Sequence, residues 1–180
     1  MKRVLVLLIE GFEDIEMITP VDLLRRAGAE VVLASLGPGI HLTSSLHVTL
    51  HADAMLSDAL ASGPFDLLMI PGGPGVKALR ADGRAAEIAK DFAQSARPVA
   101  AICAAPTVLA DAGLLEGRRY TAHDSTYGEL KQALADQRVV QDGGIITSRG
   151  AGTALDFGLA LVTRLYGQEK ADEIARRIMA

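Results

Sequence analysis

The only cysteine of the chain, Cys103, lies where a strand-like run ends and an alanine- and leucine-rich stretch begins. The run before it, 98–102, is apolar, and the stretch from Cys103 to Gly113 favours a helix. A sharp strand-to-helix turn is the geometry of a nucleophile elbow, and the small side chains of Ala104 and Ala105 would leave the sulfur exposed. The alternative interpretation is a structural thiol, since free cysteine is among the most buried residue types.

A thiol at such a turn is positioned for nucleophilic chemistry. Backbone N–H groups at a helix start favour negative charge, so we expect the pKa of Cys103 to be lowered from its usual value near ~8.5. The glycine-rich run PGGPG at 71–75 would let backbone amides approach a substrate, and the amides of Gly73 and Ala104 could form an oxyanion pocket. An ordinary turn is the alternative for this run, and a phosphate-binding loop is disfavoured because no Gly-Lys-Ser/Thr follows.

Acidic residues and a histidine follow two other predicted strands. Glu13, Asp14 and Glu16 come after the first strand, but acids are common in a first helical turn because the helix dipole favours them there. The residues alone therefore do not choose among the three acids. His123 follows a later predicted strand and could equally be a capping or surface histidine.

Three further histidines, at positions 41, 47 and 51, would share one face of a continuous strand. A metal site there is disfavoured, because the segment must turn and offers no cysteine. We therefore predict no metal site.

Short apolar runs alternate with helical patterns along the chain, which indicates a mostly parallel sheet covered by helices on both faces. In such sheets ligands bind outside the carboxyl ends of the strands, so the acids, PGGPG, Cys103 and His123 should meet at one edge. Segment 39–53 breaks the rhythm and predicts an antiparallel pair at a sheet edge. No linker or repeat interrupts 1–180, so one domain is expected. The predicted strands are 3–9, 30–35, 66–70, 98–102, 118–123, 138–142 and 145–148, and the predicted helices are 16–26, 84–95, 103–113, 154–165 and 168–179.

Composition limits the class of protein. The 180-residue chain is 49% hydrophobic and 22% charged, with a net charge of −4 and no basic stripe, which disfavours nucleic acid as a partner. No apolar run approaches the ~20 residues of a membrane span. The apolar run 4–9 is followed at once by acids, so we interpret it as a buried strand and not as a signal peptide. A single cysteine fits a reducing compartment, and a cytoplasmic location is expected.

Four segments together resemble the ThiJ/PfpI superfamily, in particular the branch of the parkinsonism-associated deglycase and its bacterial relatives. They run in order from Val4 to the C-terminal helices, at the family's spacing, and they are GFEDIEMITPVDLLRRAG, PGGPG, AAICAAPTVLA and TSRGAGTALDFGLALV. The resemblance implies a flavodoxin-like three-layer sandwich and a homodimer.

The resemblance also assigns roles to single residues. It implies that Cys103 is the nucleophile, that Glu16 is protonated and donates to the sulfur, and that His123 is the nearby histidine. It further implies a binding role for the amides of the PGG turn, Gly72 and Gly73, and for Ala104. Arg26 matches a family arginine near the dimer interface, which we group with the binding residues. Leu46 departs from the pattern, because relatives carry an anion-positioning arginine there.

The implied activity is that of a cofactor-independent glyoxalase or protein deglycase, with small dicarbonyls or glycated proteins as substrates. A redox-sensing holdase chaperone is the first alternative. A cysteine peptidase is the second, and it is disfavoured because that branch places histidine, not Ala104, after its cysteine.

Overall fold

The computed structural model describes residues 1–180. Its strands are β1 Arg3–Leu8, β2 Glu30–Ser35, β3 His41–Thr43, β4 Thr49–His51, β5 Ala54–Met55, β6 Leu67–Ile70, β7 Val99–Ile102, β8 Val139–Asp142 and β9 Ile145–Ser148. Its α-helices are α1 Asp14–Arg26, α2 Leu56–Ala61, α3 Val76–Asp82, α4 Arg84–Gln94, α5 Pro106–Asp111, α6 Ala154–Tyr166 and α7 Gln168–Arg177. No helix combines the length and the apolar composition that crossing a membrane requires.

One large sheet organises the chain, with the strands in the order β5-β2-β1-β6-β7-β9-β8. Only β8 and β9 pair antiparallel within it, and the Gly143-Gly144 turn that joins them was expected. The five central parallel strands, counted along the chain, lie in the order 2-1-3-4-5, which is the flavodoxin-like order. The predicted α/β fold with a mostly parallel sheet is therefore confirmed.

Strand β1 shows why the strands are continuously apolar. Val4, Val6 and Leu8 pack into a core shared with α1, α6 and α7, whereas Leu5 and Leu7 pack into a second core against helices α2 to α5. Successive side chains point to opposite faces, so a sheet covered on both faces needs an apolar residue at every position. The result is the predicted sandwich of three layers.

Helix α1 carries the acids, and its position is set by packing against α6. A Cβ on Gly158 of α6 would lie 2.6 Å from Leu23 Cδ1 and 3.0 Å from the Cα of Pro20, so the two helices touch where Gly158 has no side chain. At its start, the Glu13 carboxylate accepts a hydrogen bond from the Glu16 amide at 2.7 Å. Helix α1 consequently begins at Asp14, two residues earlier than predicted.

Two predictions about strands are wrong. Segment 118–123 forms no strand, because β6 and β9 already occupy both sides of β7. Its polar groups bond instead to loop backbone and to side chains, as when the Leu134 amide donates to the Tyr120 carbonyl at 2.9 Å and the Thr121 amide donates to Thr147 Oγ1 at 2.9 Å. The predicted antiparallel pair exists as β3 and β4, but it forms a separate two-stranded ribbon and not an edge of the large sheet.

Candidate active site

Cys103 follows β7 directly and adopts a left-handed backbone conformation, with φ of 66°. Such a conformation is uncommon for a residue other than glycine, and it persists only where the surroundings hold it. Here the Cys103 amide donates to the Ser148 carbonyl at 2.9 Å, and the Cys103 carbonyl accepts from the His123 amide at 2.9 Å. The side chain is half-buried. The predicted elbow is present, and its thiol is not a fully buried core group.

Glu16 places its carboxyl against the Cys103 sulfur from the first turn of α1. Its side chain is 1% exposed and hydrogen-bonded to the sulfur. Oε2 accepts from the Gly72 amide at 3.0 Å, and the Ala151 amide also donates to the carboxyl. The structure therefore selects Glu16 from the three candidate acids, whereas Glu13 caps the helix.

The PGG turn approaches the site more closely than any side chain would allow. A Cβ on Gly72 would lie 2.5 Å from Glu16 Oε2 and 2.6 Å from Cys103 Cβ. Gly73 has φ of 100°, and a Cβ there would lie 2.6 Å from the Glu13 amide nitrogen. Neither position has room for a side chain. At Gly73 the positive φ is a second reason for glycine, because other residues rarely adopt it.

The two glycines have different tasks. The amides of Gly73 and Ala104 donate toward the Cys103 sulfur, so the structure brings together the predicted oxyanion donors. The substrate-binding role predicted for Gly72 is wrong for its amide, because that N–H is already bound to Glu16. Gly72 holds the acid in place.

The predicted lowering of the thiol pKa is also wrong. Burial and the neighbouring Glu16 charge raise the pKa of Cys103 to about 12, and they outweigh the amides of Gly73 and Ala104, which lower it. Helix α5 has only six residues and begins at Pro106, three residues beyond the sulfur. A short, displaced helix start adds little to the two turn amides.

Burial likewise raises the pKa of Glu16 to about 7, and the charge of Glu13 adds to this rise. The carboxyl and the thiol are in contact and titrate as a coupled pair, with pKa values of about 7 and about 12. At a pH between these two values the pair holds one proton. Moving that proton from sulfur to carboxyl yields a thiolate next to a neutral acid without changing the net charge. The arrangement can generate a nucleophile at neutral pH by proton transfer within the pair.

His123 lies at the mouth of the same cleft, with 46% of its side chain exposed. Its Nδ1 accepts from the Ser125 amide at 3.2 Å and lies 2.9 Å from the Ser125 hydroxyl and 3.0 Å from Asp124 Oδ1. These contacts hold the ring from its Nδ1 side. The ring lines the same cleft as Cys103, as the resemblance implied.

One point in space shows how closely the three side chains converge. A Cβ built on Gly150 would lie 3.3 Å from His123 Cδ2, 3.7 Å from Glu16 Oε1 and 4.0 Å from Cys103 Sγ. Gly150, just after β9, has no side chain that would crowd these three groups. No role for Gly150 was predicted from the sequence. The available signal was its position just after the predicted strand 145–148, at the edge of the sheet where the other site residues lie.

Arg26 and Leu46 lie outside the cleft. Arg26 ends α1, ten residues or ~15 Å along the helix from Glu16, and its exposed side chain pairs with Asp22 at 2.6 Å. Arg26 does not line the cleft of its own chain, and its binding role near a dimer interface stays a prediction. Leu46 is 70% exposed in the turn between β3 and β4 and does not line the cleft.

The cleft above Cys103 has a volume of about 750 Å³, and its outer wall comes from elements that the sequence did not predict. Lys77 and Arg80 line it from α3. Arg80 binds Asp111 through two hydrogen bonds of 2.7 Å each and also binds Glu129, so it ties α3 to α5 and to the segment after His123. Lys77 has no ion-pair partner and faces solvent.

Comparisons with known proteins match this architecture. The profile of the DJ-1/PfpI family matches residues 2–164. The chain is 37% identical to dj-1beta of Drosophila melanogaster, over 99% of this chain and 97% of that protein. It is also 37% identical to DJ-1 homolog B of Arabidopsis thaliana over 97% of this chain, but it spans only 40% of that protein's length.

A bacterial relative and a solved structure extend the comparison. YraA of Bacillus subtilis, named a putative cysteine protease, is 41% identical over 82% of this chain and 89% of its own length. The oxidised DJ-1 of Toxoplasma gondii superposes with a TM-score of 0.92 at 33% identity, over 99% of this chain and 98% of that one.

Proposed function

The chain belongs to the DJ-1/PfpI family, and from this premise we propose that it is a cofactor-independent, cysteine-dependent enzyme that acts on reactive dicarbonyls. One observation carries the proposal. The Cys103 sulfur sits at a positive-φ elbow against a buried Glu16 carboxyl and the amides of Gly73 and Ala104. An acid that can take the thiol proton, together with two amides beside the reacting atom, suits addition of a thiol to a carbonyl.

The first step is addition to the aldehyde carbon of a 2-oxoaldehyde such as methylglyoxal. Glu16 takes the thiol proton, the sulfur forms a bond to the carbonyl carbon, and the carbonyl oxygen becomes an oxyanion. The amides of Gly73 and Ala104 stabilise that oxygen, and the proton held by Glu16 then passes to it. The product is a hemithioacetal on Cys103, with all atoms of the thiol and the aldehyde retained.

The second step moves hydrogen within the adduct. A proton leaves the carbon bonded to sulfur and another is delivered to the adjacent carbon, so the first carbon is oxidised, the second is reduced, and no external oxidant is needed. Glu16 and His123 are the two side chains within reach of this exchange. The resulting thioester is hydrolysed by water, which releases lactate and restores the thiol.

A dicarbonyl carried on another molecule as an aminocarbinol or hemithioacetal can enter the same reaction once its C–N or C–S bond breaks, the hydroxyl proton passes to the released amine or thiol, and the aldehyde carbon is free for addition of Cys103. The cleft of about 750 Å³ opens directly to solvent, and this volume is at the upper end of the range for ligand pockets. A three-carbon aldehyde fills a small part of it. The size therefore supports a deglycase role on larger adducts beside the glyoxalase role.

A second candidate function is peptide hydrolysis, which the name of the Bacillus relative favours. In this chain Ala104 follows the cysteine, and Nδ1 of His123 is held by Ser125.

The decisive experiment incubates the pure protein with methylglyoxal without glutathione, measures lactate, and assays casein cleavage in parallel. Lactate that disappears in Cys103→Ser supports the proposal, with Leu60→Ala on α2 as a matched variant outside the cleft that should retain the rate. Casein cleavage without lactate selects the peptidase, and suppression of client aggregation that survives in Cys103→Ser selects a chaperone.

We also propose that the chain forms a homodimer through the start of α1 and the tip of the β3–β4 turn. Ile15, Ile18, Leu46 and Val48 are 50%, 47%, 70% and 48% exposed, an unusual set of large apolar side chains on two neighbouring segments. The Ser45 amide donates to the Phe12 carbonyl at 2.8 Å and keeps the segments together. Light scattering should give twice the chain mass, and Ile18→Glu should give the monomer mass.

A further inference from the structure

Two imidazole rings face each other on the β3–β4 ribbon, outside the cleft. His41 and His51 are direct partners in the antiparallel register, and their ring centroids lie 4.2 Å apart with the planes at 67°. Both residues are exposed. The sequence pattern disfavours a metal at these histidines because the segment must turn, but the turn is what places His41 opposite His51. The proposed reaction uses neither residue.

The backbone register makes this approach close. The Ala52 amide donates to the Ile40 carbonyl at 2.8 Å, and the Ser44 amide donates to the Val48 carbonyl at 2.9 Å. Hydrogen-bonded and non-hydrogen-bonded pairs alternate along an antiparallel ladder, so 41–51 and 43–49 are the non-hydrogen-bonded pairs, in which side chains lie closest. Thr43 and Thr49 show the same effect, with hydroxyl oxygens 3.3 Å apart.

The ring nitrogens of the pair have no other partner. Of the four histidines, only His123 takes part in a side-chain hydrogen bond or an ion pair. The opposite face of the ribbon buries Leu42, so the ribbon is anchored from below while the imidazoles face solvent. Two unengaged imidazoles held side by side are a bidentate ligand.

We infer that His41 and His51 form a binding site for a divalent transition metal ion, of the class Cu²⁺, Ni²⁺ or Zn²⁺. Two nitrogens that bind one such ion at ~2.0–2.1 Å each are about 3 Å apart, a separation that rings in contact can reach by small side-chain rotations. Imidazole suits these ions, whereas Mg²⁺ and Ca²⁺ prefer oxygen ligands. No third histidine, cysteine or carboxylate joins the pair, so water completes the coordination.

The bound ion would crosslink two strands, one of which is bonded to the loop that follows β1. The Gly11 amide donates to the Thr43 carbonyl at 2.9 Å, and the Thr43 amide donates to Glu10 Oε2 at 3.0 Å. The paired geometry exists only in the folded ribbon, so the ion stabilises the native chain by mass action.

The test uses untagged protein and Ni²⁺, with retention on an immobilised Ni²⁺ resin and isothermal titration as readouts. The wild type should be retained. His41→Thr and His51→Thr copy the neighbouring Thr43–Thr49 pair and so preserve the strands. Loss of a group that only supports a metal ligand weakens binding ~10–100-fold, and loss of a ligand itself should weaken Ni²⁺ binding by at least as much. His47→Asn is the matched control, since asparagine tolerates the positive φ of 68° at that turn, and it should bind as the wild type does. Cys103→Ser should also bind normally.

Absence of Ni²⁺ binding by the wild type would overturn the inference. So would undiminished binding by either threonine variant, or loss of binding in His47→Asn, which would move the site to the turn. If a threonine variant fails to fold, electron paramagnetic resonance of Cu²⁺ on Cys103→Ser decides the matter. The spectrum should show nitrogen coupling from two imidazoles, and a spectrum without nitrogen coupling refutes the site.

Discussion

The pairing of Glu16 with Cys103 predicts how the stability of the fold depends on pH. Burial raises the pKa of Glu16 from its ordinary value of 4.5 to about 7. Below pH 4.5 the carboxyl is protonated in both the folded and the unfolded chain. Between pH 4.5 and about 7 the unfolded chain releases this proton while the folded chain keeps it, so the free energy of unfolding falls as the pH rises.

The size of the effect follows from the same two values. One unit of pKa corresponds to about 1.4 kcal/mol, so Glu16 should remove about 3 kcal/mol from the free energy of unfolding across this window. Because the side chain is 1% exposed, solvent screening reduces this figure little. The loss is a large part of the ~5–15 kcal/mol that stabilises a typical protein.

The perturbation is Glu16→Gln, which keeps the shape and lets the Gly72 amide donate to the new side chain but removes the titration. Urea unfolding of both proteins, at one protein concentration and between about pH 4 and about pH 8, gives the difference in free energy of unfolding at each pH. Contributions from other titrating groups cancel in that difference, which should shift by about 3 kcal/mol in favour of the variant.

A second variant checks the cause. The sulfur hydrogen bond lowers the pKa of Glu16, so Cys103→Ala should extend the pH-dependent window above about 7. A difference between wild type and Glu16→Gln that stays constant within about 0.5 kcal/mol over the whole range would refute the reasoning, because Glu16 would then titrate alike in the folded and unfolded chains.

Three further outcomes are expected. His123→Ala should lower kcat on methylglyoxal by ~10²-fold if the imidazole moves a proton, and steady-state kinetics at wild-type rate would remove it from the catalytic groups. Gly72→Ala should cost at least ~1–3 kcal/mol in urea unfolding, since its Cβ would overlap Glu16 and Cys103, and unchanged stability would contradict the tight approach. Mild peroxide should add about 32 Da to Cys103 as a sulfinic acid, because proton transfer to Glu16 supplies the thiolate that peroxide oxidises. Glu16→Ala removes the donor beside the sulfur and should shift the product toward the sulfonic acid or slow the oxidation. Intact mass spectra that show an inert thiol would speak against the elbow.

The sheet and the elbow could be predicted because each depends on local pattern. Continuously apolar runs of four to six residues report burial on both faces, and β9 lies at the predicted 145–148. Ala104 and Ala105 beside Cys103 indicated a tight turn, and the positive φ of Cys103 agrees. The acid, the glycines and the thiol each follow a parallel strand, so all of them could be predicted to lie at the carboxyl edge of the sheet.

The errors concern properties that depend on partners distant in sequence. The pKa of Cys103 is set by burial and by a carboxyl 87 positions away, neither of which local composition reveals. Segment 118–123 has the composition of a strand, but no free strand edge beside β7 remains to pair with it. The amide of Gly72 is engaged by Glu16, a contact that the PGG pattern does not announce.

The elbow is also a product of late assembly during synthesis. The amide of Cys103 is held by Ser148, and its sulfur faces the carboxyl that Ala151 helps to fix. Ribosomes add ~5–20 residues per second, so residues near 150 are made roughly 2 to 10 seconds after Cys103. Alkylation of ribosome-bound chains truncated before Ile145 should therefore find a thiol with ordinary reactivity. A nascent chain therefore lacks the paired thiol and carboxyl until about residue 151 has been added.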